Sequence, residues 1–192
     1  MSKSGTSQIL DRPPVTPDLA GAAPVAPGEW GAVLTRAFTE MRDDLLSTLV
    51  YVLEDRDAAQ DAAQDAFLKC WRSRESLPDV VNLRAWIFRV GLNTAKDMQR
   101  SAWNRRAKPF AGDETMIAGR DTGVSQAAED QEDLTRLRQA ITDLRAEEKE
   151  VFLLRQNGGF TYEQIADIRH APVGTVKTQM RAALQKLRKA LA

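Results

Sequence analysis

Residues 160–191 read FTYEQIADIRHAPVGTVKTQMRAALQKLRKAL, and the punctuation of this stretch governs the architecture around it. Thr161 can cap a short helix, and Gln164 stands where a capping box needs its partner. Ile165 and Ile168 supply the apolar side of that helix. Pro172 cannot sit inside it, so a tight turn is predicted over 170–173 and a second helix from near Gly174. On the second helix Val176, Met180, Ala183, Leu184, Leu187 and Leu191 share a face that must pack inward. Thr175, Thr178, Gln185, Lys186 and Lys189 point away from it, and Lys177, Arg181 and Arg188 run along one flank. A short helix, a turn and a basic amphipathic helix make a helix-turn-helix, whose second helix enters the major groove with its first residues on base edges. Lysine and arginine there can donate to guanine or phosphate, and threonine can hydrogen-bond or offer its methyl to thymine. A plain helical hairpin with a wet basic face fits the bare pattern equally well.

Working back along the chain, Leu134, Leu137, Ile141 and Leu144 mark one helix, Val151, Phe152 and Leu154 another, and Asn157-Gly158-Gly159 its stop. Before these, Pro109 to about Asp130 carries glycines and scattered acids with little periodicity, which reads as a flexible linker over 108–132. Trp30, Leu34, Phe38, Met41, Leu45, Leu49 and Val52 recur at three- and four-residue steps and predict a long amphipathic helix. In the next helix Asp57 is the expected N-cap, and Ala59, Ala63, Phe67, Cys70 and Trp71 its buried face. Arg74 to Asn82 reads as a loop turning at Leu77-Pro78-Asp79, with Asn82 capping a third helix whose inner side is Trp86, Ile87, Val90 and Thr94. Residues 1–28, with Pro13, Pro14, Pro17, Pro24 and Pro27, predict a disordered tail. No stretch alternates like a strand. The expected fold is all-α: a three-helix domain over 29–107, a linker, and a helix-turn-helix domain over 133–192.

The chain has 192 residues, 43% hydrophobic and 28% charged, ample for two small cores. Its single cysteine, Cys70, excludes an internal disulfide, and no Cys/His cluster has metal-ligand spacing, so no cofactor or metal is expected and a reducing, cytoplasmic setting is. No apolar run is long enough for a membrane span, and prolines interrupt the N-terminus where a signal peptide needs an apolar core. The net charge is zero, but its distribution is uneven. Arg84, Arg89, Lys96, Arg100, Arg105, Arg106 and Lys108 are opposed by Asp97 alone, and Lys177, Arg181, Lys186, Arg188 and Lys189 by no acid, while acids collect over 40–65 and 113–133. Two basic blocks of this kind suggest two nucleic-acid-facing surfaces; solvated helix faces are the simpler reading of any one block. One acidic feature stands out: in DAAQDAAQDAF, residues 57–67, Asp57, Asp61 and Asp65 stack along one stripe and repel one another by about 0.2–0.5 kcal/mol per pair.

YEQIA followed by PVGTVKT resembles the C-terminal DNA-binding region of extracytoplasmic-function sigma factors of bacterial RNA polymerase, within the sigma-70 family. DAAQDAAQDAFLKCW is similar to that family's core-polymerase-binding helix, and RAWIFRVGLNTAKD to its minus-10 recognition and melting segment. The resemblance runs from about Gly28 to the end, in the family's order. It implies a factor that binds core polymerase and directs promoter recognition, with no catalysis of its own. Asp61, Gln64, Asp65 and Lys69 would meet the helical clamp of the polymerase's largest subunit, and the C-terminal domain its flap; meeting a positive partner relieves the self-repulsion of the acidic row. Asn82, Arg84, Arg89, Asn93, Lys96 and Arg100 would contact the minus-10 element, with Asn93 in the pocket for an extruded base. Thr175, Lys177, Thr178, Gln179 and Arg181 would read the minus-35 duplex, although Gln179 and Ala182 stand where the family commonly has arginine. His170 takes a helix-end position where the family usually has glycine, and histidine tolerates the left-handed conformation better than most residues. An anti-sigma factor is the further expected partner. Trp86 and Trp71 are expected in the core. A stand-alone helix-turn-helix regulator is the alternative function; it explains residues 160–191 but not the basic block or acidic helix of the first domain.

Overall fold

The computed structural model describes residues 29–107 and 128–191, and every regular element among them is helical. The Pro-rich tail and the linker over 108–127 lie outside the described residues.

Helix α1 spans Trp30–Leu53, α2 Arg56–Arg72 and α3 Leu83–Ala107, with a 3-10 helix at Arg74–Asp79 where the sequence suggested a loop. Leu34, Phe38, Met41, Leu45 and Leu49 form the buried stripe of α1, as their spacing predicts. Gly91 lets α3 come close to that stripe, since a β-carbon there would stand 2.9 Å from Leu45 Cδ1. The N-cap of α2 is Asp55 rather than Asp57: Asp55 has extended backbone, and its side chain accepts from the Ala58 N–H at 2.9 Å. Asp57 falls within the first turn, where a carboxylate still meets the positive end of the helix. Asn82 caps α3, its Oδ1 accepting from the Ala85 N–H at 2.9 Å.

Trp71 departs from expectation. It is 37% exposed, with the Arg74 guanidinium 5.2 Å from its ring centre. The inner face of α2 is built instead from Ala59, Ala62, Ala63, Ala66 and Cys70, side chains short enough to let neighbouring helices approach closely. Trp86 is half-buried.

The C-terminal group comprises α4 (Ala128–Thr142), α5 (Ala146–Gln156), α6 (Tyr162–Arg169) and α7 (Val173–Ala190). Helix α4 begins inside the stretch read as linker, and Leu134 on it is exposed. The capping box of α6 is present in both halves: Gln164 N–H donates to Thr161 Oγ1 at 3.2 Å and Thr161 N–H to Gln164 Oε1 at 2.9 Å. His170 closes α6 in the left-handed region (φ 51°, ψ 48°), its N–H returning to the Ala166 and Asp167 carbonyls. Val176, Met180, Ala183 and Leu187 are the buried residues of α7; Leu191 lies past its end and is exposed.

The two groups are not separate bodies. Buried apolar residues of both share one core in which Phe88 of α3 meets Phe160 edge to face, ring centres 5.0 Å apart, and a smaller cluster around Ile141, Leu144, Leu153 and Leu187 lies within the C-terminal group. Gly158 turns the chain at this seam: a β-carbon there would stand 2.4 Å from the Phe160 ring and 2.6 Å from the Leu154 carbonyl oxygen. Asn157 Nδ2 donates to Ser47 and Thr48 of α1, each at 3.3 Å.

Candidate functional site

Three clusters were predicted from sequence, and the structure treats them differently. The acidic ridge is presented to solvent: Asp57, Asp61, Gln64 and Asp65 are all exposed along α2. Beside it a groove of about 400 Å³ opens between α1 and α2, lined by Phe38, Arg42, Leu46, Gln60, Gln64 and Phe67. Carboxylates flanking an apolar groove suit a partner helix with basic and aliphatic side chains. Lys69 is exposed on the same helix, but its ammonium turns toward α3 and donates to Thr94 Oγ1 at 2.9 Å.

The α3 cluster divides. Asn93 and Arg100 are exposed, with Arg100 held to Asp97 at 2.9 Å, and Asn82 is committed through its side chain to the cap. Trp103 stands 74% exposed on the same helix. Arg84, expected on DNA, is instead buried in the seam. Its Nη2 pairs with Asp44 at 2.7 Å, its Nε donates to the Gly158 carbonyl at 3.0 Å, and the guanidinium lies 5.4 and 5.8 Å from the Phe88 and Phe160 ring centres. Arg84 thus closes the C-terminal end of α5, where a cation meets unpaired carbonyls and the negative end of the helix. Arg89 does the same for α6, donating to the Asp167 carbonyl at 3.0 Å. Lys96, whose side chain is 44% exposed, lies 2.6 Å from Glu150 of α5.

The α7 cluster faces outward. Thr175, Lys177, Thr178 and Arg181 are exposed, and Gln179 is half-buried. Lys177 stays near α6, 3.9 Å from Glu163 and 5.9 Å from the Tyr162 ring centre. Thr178 Oγ1 donates back to the Gly174 carbonyl. Exposed threonines and cations on the first turns of a helix, held by a rigid capped turn, are what major-groove readout requires.

Sequence reasoning passed over three acids and bases at the seam: Glu150, Arg169 and Lys149. Glu150, 7% exposed, accepts from Arg169 Nε on one carboxylate oxygen at 2.8 Å, while the Lys96 ammonium stands beside the other as an ion pair without hydrogen-bond geometry; Arg169 in turn donates to Gln179 Oε1. Lys149 reaches Glu54 at the end of α1, at 2.8 Å. A signal for two of the buried charges was present. Glu150 precedes Leu153 and Leu154, and Arg84 precedes Ile87 and Phe88, by three and four residues, so each charge lies on an apolar stripe.

Elsewhere, burial raises the Glu148 carboxyl, but the hydrogen bond and charge of Lys186 at 2.6 Å and the Arg145 N–H outweigh it and hold the group below the ordinary carboxylate range. Burial pushes the Cys70 thiol up to about 12. No group of three or more potential metal ligands occurs among the described residues, and no helix among them is long and apolar enough to cross a membrane.

Comparison with known proteins bears on both helical groups. The family model for sigma-70 region 2 matches residues 37–105, and that for sigma-70 region 4 matches residues 134–187. The RNA polymerase sigma-H factor of Pseudomonas aeruginosa is 28% identical over 157 residues, covering 77% of this chain and 80% of the relative. The ECF RNA polymerase sigma-E factor of Haemophilus influenzae is 30% identical over 132 residues, covering 65% of this chain and 70% of the relative. Among solved structures, the sigma factor RpoE of Bartonella quintana, in complex with the anti-sigma factor NepR, superposes with a TM-score of 0.65 at 23% identity. The match covers 83% of this chain and 96% of that one.

Proposed function

Because the chain belongs to the sigma-70 family of RNA polymerase sigma factors, in its extracytoplasmic-function group, we propose a division of labour among its surfaces. Core polymerase and promoter DNA are the family's partners; the residues that meet them are assigned from this chain's own geometry.

The acidic ridge, with Asp61, Gln64, Asp65 and Lys69, docks on the clamp of the largest subunit, and the groove between α1 and α2 takes the apolar side of the same contact. The supporting observation is that these carboxylates remain exposed beside an apolar groove while Glu148 and Glu150 of α5 are buried in ion pairs. Asn93, with Lys96, Arg89 and Arg100, contacts the opened minus-10 strand, and Asn82 shapes the loop before it. Arg84 is removed from that set, since its guanidinium is spent on α5 and Asp44. Thr175, Lys177, Thr178, Gln179 and Arg181 read the minus-35 duplex, and the C-terminal group also meets the flap. Chains of this fold occur bound to anti-sigma proteins, and an anti-sigma factor acting on this chain belongs to the same proposal.

The ridge assignment is tested by Asp61→Lys combined with Asp65→Lys. Like charges set against a basic clamp cost several kcal/mol, so affinity for core should fall by at least about 100-fold. The helical circular dichroism should be unchanged, because both side chains are exposed. Unaltered affinity would place the polymerase contact elsewhere.

A further inference from the structure

We propose that Trp103 is a stacking platform for an unpaired base of the opened promoter strand, a second point of hold beside Asn93. The inference rests on the sigma-factor reading above and deepens its minus-10 surface. Trp103 lies beyond residues 84–97, which carry the resemblance to the family's minus-10 segment, so that resemblance assigns the ring no role.

The observation is a large indole left in water at one end of a polar stripe. Trp103 is 74% exposed, against 37% for Trp71, which also carries the Arg74 guanidinium over its ring. Asn93, Lys96, Arg100 and Trp103 follow one another on α3 at steps of three, four and three residues, the spacing of a single helix face. All four are exposed. At a rise of about 1.5 Å per residue, Trp103 stands about 15 Å along the helix from Asn93. A strand covers that distance with about four nucleotides at the duplex rise of about 3.4 Å, and with fewer once it is stretched. A base held by Asn93 and a base laid on Trp103 therefore belong to one short run of the same strand.

The surroundings of the ring favour a base over an apolar protein partner. Protein-docking aromatics sit within contiguous apolar patches. Gln99, Arg100 and Ser101, on the turn before Trp103, are all exposed and polar. The other exposed large apolar side chains of the N-terminal group, Leu68, Trp71 and Val81, lie on α2 and in the loop before α3. Arg100 places a cation one turn away, paired with Asp97 at 2.9 Å on the surface, and an exposed pair of this kind is weak enough to exchange for a phosphate. A flat aromatic face beside a cation is a recurring means of holding single strands, and it is tolerant of sequence because every base has a π-face. Asn93 thus reads a base, while Trp103 keeps the strand beside it from pairing again.

The test uses holoenzyme, assembled from core polymerase and the full chain, and a promoter that it selects from randomised DNA, prepared with the minus-10 region as an unpaired bubble. Trp103→Ala and Trp103→Leu should each weaken binding to the bubble by about 5-fold to 100-fold, while Trp103→Tyr, which keeps a ring, should stay within about two-fold of wild type. Because the side chain is exposed, all three should keep the wild-type helical dichroism and the wild-type affinity for core. Abasic sites are then placed one at a time along the opened strand, and the base read by Asn93 is located as the one whose removal is silent in Asn93→Ala. Within about four nucleotides of it, one further abasic site should weaken binding of the wild type and be silent in Trp103→Ala. Wild-type bubble affinity in Trp103→Ala, rescue by leucine as full as by tyrosine, a loss of core affinity equal to the loss on DNA, or an abasic scan identical in wild type and Trp103→Ala would each overturn the platform and leave the sigma reading standing. If the holoenzyme selects no promoter, the reading itself fails and the platform with it.

Discussion

Phe160→Ala is the substitution that most sharply probes how the two helical groups are joined. Phe160 is 1% exposed, belongs to the C-terminal group, and packs edge to face on Phe88 of the N-terminal group with ring centres 5.0 Å apart. Truncating a fully buried phenylalanine costs about 3–5 kcal/mol. With a urea dependence of about 2 kcal/mol per molar, the unfolding midpoint should fall by about 1.5–2.5 M. The location of the effect matters more than its size. All four tryptophans, Trp30, Trp71, Trp86 and Trp103, lie in the N-terminal group, so their fluorescence reports that group alone, while circular dichroism reports both. A shared core requires both probes to shift together, although the lesion is in the half without tryptophan. Phe88→Ala combined with Phe160→Ala should then cost less than the sum of the single changes, with a coupling of about 0.5–1.5 kcal/mol from the aromatic pair. An unmoved fluorescence transition beneath a biphasic dichroism curve would refute the shared core, and with it the seam.

Three other expectations follow from local chemistry. Thr161→Ala removes the α6 cap and should cost about 1 kcal/mol, lowering the thermal midpoint by about 2–4 °C. Lys177→Ala should weaken holoenzyme binding to promoter DNA across sequences and reduce the slope of log affinity against log salt by about 1; an unchanged slope would take Lys177 off the phosphate backbone. The two perturbed titrations act at opposite ends of the pH range. The Glu148 carboxyl is held below its unfolded range, so its contribution is present above the unfolded value and is lost as pH falls through the folded one. Cys70 is raised from 9.0 to about 12, so the unfolded chain sheds its proton first and stability declines above pH 9.0. Denaturant titrations of Cys70→Ala and Glu148→Gln against pH should each lose the corresponding limb.

Much of the fold was legible because its signals are local. The capping box of Thr161 and Gln164, the proline that forces a turn, and His170 at the left-handed end of α6 are each set by residues within a few positions of one another. The stripe of α1 could be read in the same way. The seam could not, since Arg84 and Arg89 donate to the backbone carbonyls of Gly158 and Asp167, and a carbonyl has no letter in the sequence. The basic block on α3 therefore read as a nucleic-acid surface, when part of it holds the C-terminal ends of two helices. Trp71 was misplaced because the inner stripe is carried by alanines and Cys70, while the indole lies at its edge over Gly31 of α1, where it stays 37% exposed. Asp57 lost the cap to Asp55 because both lie in one acidic stretch, and only the backbone angles at Asp55 are extended.

The most direct measurement is transcription by core polymerase from a library of randomised promoters, with and without the purified chain. Its addition should concentrate initiation at discrete starts preceded by two shared boxes at a fixed separation, one met as an opened strand and one as duplex. Starts distributed as with core alone, or a chain that never joins the polymerase, would contradict the assignment at its root.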